Sequence, residues 1–290
     1  MIDFATIARL GGIATTRQLC AAGAFSADLT AAVRSGALRR VRKGYYASPS
    51  ASPAAVRAVV LGGRLSCVSA APSYGLWAGD ERRLHLQFAP NARAGPSGGC
   101  VRHWFAGEGN EQVWRLSVDD CLRSVARCAD EETAVAVFDT AITAGLVDPI
   151  ALRLVLDGLP VNARARAALA RPGSDSGVES IVRQRLQAAG HLVEQQVHVP
   201  GVGRVDMRVD GLLYLEIDGF EFHGDRAAFE RDRVRDAVLA AAGSSRLRVS
   251  AAQVRGDWAH VREQIERILA HSANSQERRD QPGRVGCSIH

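Results

Sequence analysis

The spacing of apolar positions changes period several times along the chain. Residues 3–10 predict a short helix. Thr15 followed by Gln18 is a capping-box pattern that opens a second helix, and Gly23 stops it. Ser26 is placed to cap a third helix over 27–35, which Gly36 ends. The run Leu38-Arg39-Arg40-Val41-Arg42-Lys43-Gly44-Tyr45-Tyr46 alternates in part and turns at Lys43-Gly44, so it predicts a β-hairpin. Residues 51–165 are rich in Ala, Val and Leu. Leu84-His85-Leu86-Gln87-Phe88 alternates as a strand, and 117–156 reads as two or three helices. The turn-forming run Arg171 to Gly177 then separates this stretch from a compact α/β pattern. No internal repeat is present.

The last pattern is the most informative. Val178, Ile181, Val182, Leu186 and Ala189 form an i, i+3, i+4, i+8, i+11 stripe, which predicts a helix over 177–189. Ser174 or Asp175 is available to cap it, and Gly190 stops it. Strands are expected at about 192–199, 204–209 and 213–218, the last two joined around Asp210-Gly211. Val205, Met207 and Val209 alternate with Arg204, Asp206 and Arg208. Leu213, Leu215 and Ile217 alternate with Tyr214, Glu216 and Asp218. A two-residue turn at 210–211 would pair odd positions with even and turn one strand inside out. The pattern therefore requires a three-residue type of loop or a bulge, which sets Asp206 opposite Glu216. A helix at about 226–242, a short strand at 247–249 and a last helix at 257–270 close the segment. The tail 272–290 is expected to be disordered. The domain boundaries that follow are 1–50, 51–170, 171–271 and the tail 272–290.

Composition narrows the class. The chain has 290 residues, 47% of them apolar and 23% charged, with a formal net charge of +5. This is enough apolar material for several cores, and the mild basic excess fits a polyanionic partner. Lys43 is the only lysine, so any other cationic role falls to Arg or His. No stretch approaches the about 20 apolar residues of a membrane span. Asp3 interrupts the N-terminus, so no signal peptide is expected and the chain reads as cytoplasmic. The six cysteines form no CxxC pair, so no zinc-type spacing is visible, and a disulfide framework is not expected. His85 and His103 stand isolated and read as plain strand or surface histidines.

Two regions carry candidate chemistry. Helix, helix, turn, helix and basic hairpin is the order of a winged helix-turn-helix. There the third helix, which carries Arg34, would enter the major groove, while Arg39, Arg40, Arg42 and Lys43 would meet phosphates. In the last segment Arg204, Asp206, Glu216 and Asp218 fall on one sheet face. Carboxylates crowded in this way repel one another unless cations compensate. A hard divalent ion, Mg²⁺ or Mn²⁺, is the natural candidate, and a plain solvated face with Arg204 and Arg208 as partners is the alternative. Such an ion can polarise a phosphate and activate water. Glu179 in the preceding helix is a carboxylate favoured by the helix dipole.

Gly12 to Leu19, followed by Gly36-x-Leu38-x-Arg40-Val41-x-Lys43-Gly44-x-Tyr46-Ala47, resembles the N-terminal domain of AbiEi-family antitoxins. Leu65 to Ala71 with Tyr74-Gly75-Leu76 is similar to the stretch that follows it in that family, with Tyr74 where His is common. The resemblance implies a DNA-binding repressor with a toxin partner.

Glu179, Gly190, Val205-Asp206, Leu215-Glu216-Ile217-Asp218-Gly219, His223, Arg231-Asp232-x-x-Arg235, Leu239, Gly243 and Leu247-Arg248 together resemble the PD-(D/E)XK nucleases. Within that superfamily they look more like the branch similar to very-short-patch-repair endonucleases. That resemblance implies Asp206 and Glu216 as Mg²⁺ ligands, Asp218 as a further ligand or water-orienting group, and Glu179 as holder of a second metal or of water. It also implies His223 as general acid/base and Arg231 or Arg235 as phosphate-stabilising cation. Asp218 stands where the superfamily has lysine. The expected fold is α+β multidomain: an N-terminal winged helix, an α/β middle domain and a C-terminal restriction-endonuclease-like domain with a mixed sheet. The expected function is metal-dependent cleavage of double-stranded DNA, targeted by the winged helix. The alternative is a non-catalytic AbiEi-like repressor or antitoxin with a degenerate nuclease domain.

Overall fold

A computed structural model of the chain describes residues 2–93, 95, 99–218 and 245–280. The chain has an α+β multidomain architecture and divides into two compact units, Met1–Pro172 and Gly173–His290. Among the described residues no helix is long and apolar enough to cross a membrane.

The first unit begins with α1 (Phe4–Arg9), β1 (Ile13–Thr15), α2 (Thr16–Ala21), α3 (Ser26–Arg34), β2 (Arg39–Arg42) and β3 (Tyr45–Ala47). The three strands form an antiparallel sheet in the order β1-β3-β2. This is the winged-helix arrangement, with β1 as a strand that the sequence pattern did not predict. The Thr15/Gln18 capping box opens α2 as expected. At α3 the cap differs. Ser26 is already helical, and the Asp28 carboxylate instead accepts the Phe25 backbone N–H at 2.8 Å. The wing turns at Lys43-Gly44, with Gly44 at φ +81° as this turn requires. Val41 is a bulge between Arg40 and Arg42, which explains why the alternation there is only partial.

The unit continues through α4 (Pro53–Leu61), β4 (Arg64–Leu65), α5 (Cys67–Ala70), β5 (His85–Phe88), β6 (Val101–Trp104), α6 (Val118–Cys128), α7 (Glu131–Thr143), α8 (Pro149–Val155) and α9 (Val161–Leu169). β5 lies between β4, antiparallel to it, and β6, parallel to it. One apolar core runs from Ile13 and Ala47 through Leu86 and Leu122 to Phe138 and Leu152. The winged helix keeps a small core of its own around Ile7, Leu10, Leu19, Leu29 and Leu38. Trp114 joins the two parts, its indole N–H donating to the Leu10 carbonyl at 2.7 Å. That approach needs glycine at position 11: its φ is +76°, and a Cβ there would lie 2.6 Å from the Trp114 ring.

The second unit opens with α10 (Gly177–Ala188), followed by β7 (Val193–Val199), β8 (Gly203–Val209), β9 (Leu213–Asp218), β10 (Ser245–Ser250), α11 (Ala251–Gly256) and α12 (Trp258–Asp280). Its sheet is mixed, in the order β10-β9-β8-β7, with β9–β10 parallel and the other pairs antiparallel. Val205, Met207, Val209, Leu213 and Leu215 are all buried, so the odd-numbered face is the core face on both β8 and β9. Val209 pairs with Leu213, leaving a three-residue loop 210–212, one of the two solutions that the parity argument allows. Asp210 and Gly211 both take left-handed backbone, at φ +51° and +71°. α10 is capped by Ser176, not by Ser174 or Asp175: the Ser176 hydroxyl accepts the Glu179 N–H at 3.2 Å. α12 runs to Asp280, past the end expected at 270 and into the segment expected to be disordered.

Candidate functional site

The winged helix presents Arg34, Arg39, Arg40, Arg42 and Lys43 as exposed side chains. Arg34 ends α3, and the other four lie on the wing. The exposed positions of α3 are otherwise small and neutral, among them Ala27, Thr30, Ala31 and Val33, while the half-buried Asp28 carboxylate turns back to the Phe25 N–H. Thr30 spends its hydroxyl on the Ser26 carbonyl at 3.0 Å. Arg42 differs from its neighbours. Its guanidinium lies 5.9 Å from the centre of the Tyr45 ring and packs against Gly62, so the wing turns it toward the protein. Arg39, Arg40 and Lys43 are the cations best placed to reach outward.

The second unit brings together Glu179, Asp206, Glu216 and Asp218, with partners that differ from those expected. Asp206 accepts the Ile217 backbone N–H at 2.8 Å, across the sheet from its own strand. Burial, and then the charge of Glu216, raises its carboxyl above the usual aspartate range, against the lowering effect of that hydrogen bond. Glu179 is only 5% exposed. It accepts the Asp175 N–H at 2.9 Å and the Gln196 side-chain amide at 3.2 Å. Burial, reinforced by the charge of Asp206, pushes it up to about 7. A favourable helix-dipole contact alone would move it the other way.

Gln196 holds a left-handed backbone at φ +52° within β7, and its amide oxygen is buried without a hydrogen-bond partner. The strained backbone and the orphaned acceptor both lie beside the Glu179 carboxyl, whose raised pKa has burial as its main cause.

Glu216 is ion-paired with Arg246 and with Arg248, the latter at 3.1 Å, and Arg248 also approaches Asp218 at 3.5 Å. Both arginines come from β10, where Arg248 stands beside Glu216 in register. Arg204 pairs with Asp175 and Arg208 with Glu194, so neither is the main counter-ion of the acidic cluster. His223, Arg231 and Arg235 lie outside the described residues. The alternation Arg246-Leu247-Arg248-Val249 carried the signal for β10, because it places both arginines on the face of the even-numbered acids.

A third cluster overturns a sequence expectation. Cys67, His85, His103 and Cys128 each offer a ligand atom, and these atoms all lie within 4.8 Å of one another. His85 and His103 are therefore not isolated. The four residues come from α5, β5, β6 and the end of α6, so no local spacing brings them together. The remaining buried thiol of this region, Cys121, donates to the Cys67 carbonyl at 3.4 Å, and burial pushes it up to about 12.

Residues 4–49 match the family described as transcriptional regulator, AbiEi antitoxin. The match covers the winged helix and no other part of the chain. No curated protein matches the chain. Among solved structures, the RV2827C protein from Mycobacterium tuberculosis is 18% identical, with a TM-score of 0.29. The match covers 57% of this chain and 73% of that one.

Proposed function

We propose that this chain is a DNA-binding transcriptional regulator of the antitoxin type that reads duplex DNA through its winged helix. The observation that carries this reading is the wing: Arg39, Arg40 and Lys43 project outward beside a recognition helix whose exposed face is small and ends in Arg34. Small side chains let a helix lie deep in the major groove, and the flanking cations contact phosphate on either side. The AbiEi match over the same residues supports it. A cognate toxin is the protein partner under this reading.

The test is fluorescence anisotropy with a labelled duplex from the region upstream of the chain's own reading frame. Tight binding to that duplex is expected, with much weaker binding to an unrelated duplex of equal length. Equal weak binding to both removes the regulator reading.

A second reading is favoured by the repulsion of Asp206 with Glu216, its neighbour on the sheet face, and with Glu179, which α10 brings beside it. Their oxygens suit Mg²⁺ or Mn²⁺, which would supply Lewis-acid polarisation of a phosphodiester and a more acidic water. Asp206 and Glu216 would hold the ion, with Glu179 orienting water. A cation must compete there with Arg246 and Arg248 for Glu216, and for this reason we place the nuclease reading second. Nicking of supercoiled plasmid that needs Mg²⁺ or Mn²⁺ and disappears in Asp206→Ala would establish it. No nicking by the wild-type chain with either ion removes it.

A further inference from the structure

We propose that Cys67, His85, His103 and Cys128 form a tetrahedral Cys2His2 site for a borderline-soft divalent cation, zinc foremost, that ties the middle region of the first unit together. The distances fit a shared ion. Bonds of about 2.0–2.1 Å to nitrogen and about 2.3 Å to sulfur put two tetrahedral nitrogens about 3.3 Å apart and a nitrogen and a sulfur about 3.5 Å apart. His85 Nδ1 lies 3.2 Å from His103 Nε2, and Cys128 Sγ lies 3.5 Å from His85 Nδ1. Two thiolates and two imidazoles are the donor set that selects zinc over magnesium or calcium.

Each donor is held in place by structure around it. Cys67 takes a left-handed backbone at φ +50°, unusual for a residue with a side chain, at the first position of α5. Such strain persists where the surroundings impose it. The strands carrying the histidines pair in parallel, with His85 beside Val101 and Gln87 beside His103. The Ser69 hydroxyl accepts the His85 backbone N–H at 2.9 Å. Cys128 ends α6, and Arg166 fixes that end by donating to the carbonyls of Ala126 and Ala129 at 2.7 and 2.8 Å.

The surroundings of the donors fit as well. His85 is 5% exposed, and its second ring nitrogen, Nε2, is buried without a hydrogen-bond partner. The Glu81 carboxylate stands 3.9 Å from it. A modest closure would make the carboxylate–histidine–metal relay common in zinc proteins. With four protein donors the site has no open position, so its role is structural. It would link α5, β5, β6 and α6 around the core that also seats the winged helix. This inference is independent of either functional reading.

The test uses the full-length chain, purified under reducing conditions and checked for its fold by near-ultraviolet circular dichroism. Zinc is measured by mass spectrometry after dialysis, and cobalt(II) is then substituted for it. One zinc per chain is expected, together with a cobalt spectrum showing intense tetrahedral d–d bands and thiolate-to-cobalt charge transfer. Cys128→Ser and His103→Asn should each weaken zinc affinity by about a hundredfold or more, since changes to the groups around the ligands alone cost about 10–100-fold. Cys20→Ser should leave it unchanged. Folded wild-type protein with only trace zinc and no such cobalt spectrum overturns the proposal, whether Cys67 and Cys128 are then found as free thiols or as a disulfide. So does equal zinc retention in Cys128→Ser and His103→Asn.

Discussion

Glu179 is a carboxyl that its surroundings keep close to neutral. Its pKa stands at about 7 in the folded chain against 4.5 for an open one, because burial and the Asp206 charge both disfavour the anion. The sign of the pH effect follows by linkage. Below pH about 4.5 the group is protonated in both states, and its contribution to stability is fully present. Between about 4.5 and 7 the unfolded chain releases the proton while the folded chain keeps it, so stability falls as pH rises through that window. With Glu179→Gln the loss disappears. In chelator, urea midpoints at pH 5 and pH 8 should show the wild type losing about 2–3 kcal/mol more than the variant. Equal losses in the two proteins would mean the carboxyl is not buried beside Asp206. The sequence placed Glu179 in the first turn of the right helix but read its carboxylate as dipole-stabilised. Gln196 and Asp206, which act on it from neighbouring strands, are contacts that helix periodicity does not register.

At the scale of elements, parity along β8 and β9 excluded a two-residue turn and set Asp206 opposite Glu216, because a one-residue slip would expose an entire core face. Of the two options left, a three-residue loop or a bulge, the structure has the loop. Caps were less legible. Ser174, Asp175 and Ser176 all have the chemistry, and it is Ser176 that takes the extended N-cap backbone, φ −132° and ψ 157°, and accepts the Glu179 N–H.

The wing makes a quantitative prediction. Each phosphate that a cation no longer neutralises lowers the dependence of log K on log salt by about 0.9. Arg39→Ala with Arg40→Ala should therefore flatten the slope for duplex binding by about 1.8. Arg42→Ala should flatten it less, since Arg42 turns toward Tyr45 and Gly62. Anisotropy titrations across a salt series check this, and an unchanged slope in the double variant would place DNA elsewhere. The junction behind the wing is equally specific. Gly11→Ala adds a Cβ against the Trp114 ring at a positive φ and should cost about 2–4 kcal/mol, read as a lowered urea midpoint.

Across the whole molecule, a candidate site was legible in the sequence where it lies in contiguous residues and hidden where it is assembled from distant ones. The wing cations sit within five residues, whereas Cys67, His85, His103 and Cys128 are gathered by four separate elements, and no local spacing announces them. Arg246 and Arg248 reach Glu216 only because β10 adds to the sheet parallel to β9. The division into two units leads to a last prediction. The wing belongs to Met1–Pro172, with a core built from Ile7 to Leu38 and from Ile13 to Ala170, while Asp206 belongs to Gly173–His290. Changes in separate cores that share no partner add within about 0.5 kcal/mol. Asp206→Ala should thus leave duplex affinity unchanged, and Arg39→Ala with Arg40→Ala should lower it by the same factor in the wild-type and Asp206→Ala backgrounds. A double-variant cycle in anisotropy measures this. A coupling well above that limit would mean that DNA contacts the acidic face of the second unit together with the wing, and the two functional readings would then describe one binding event.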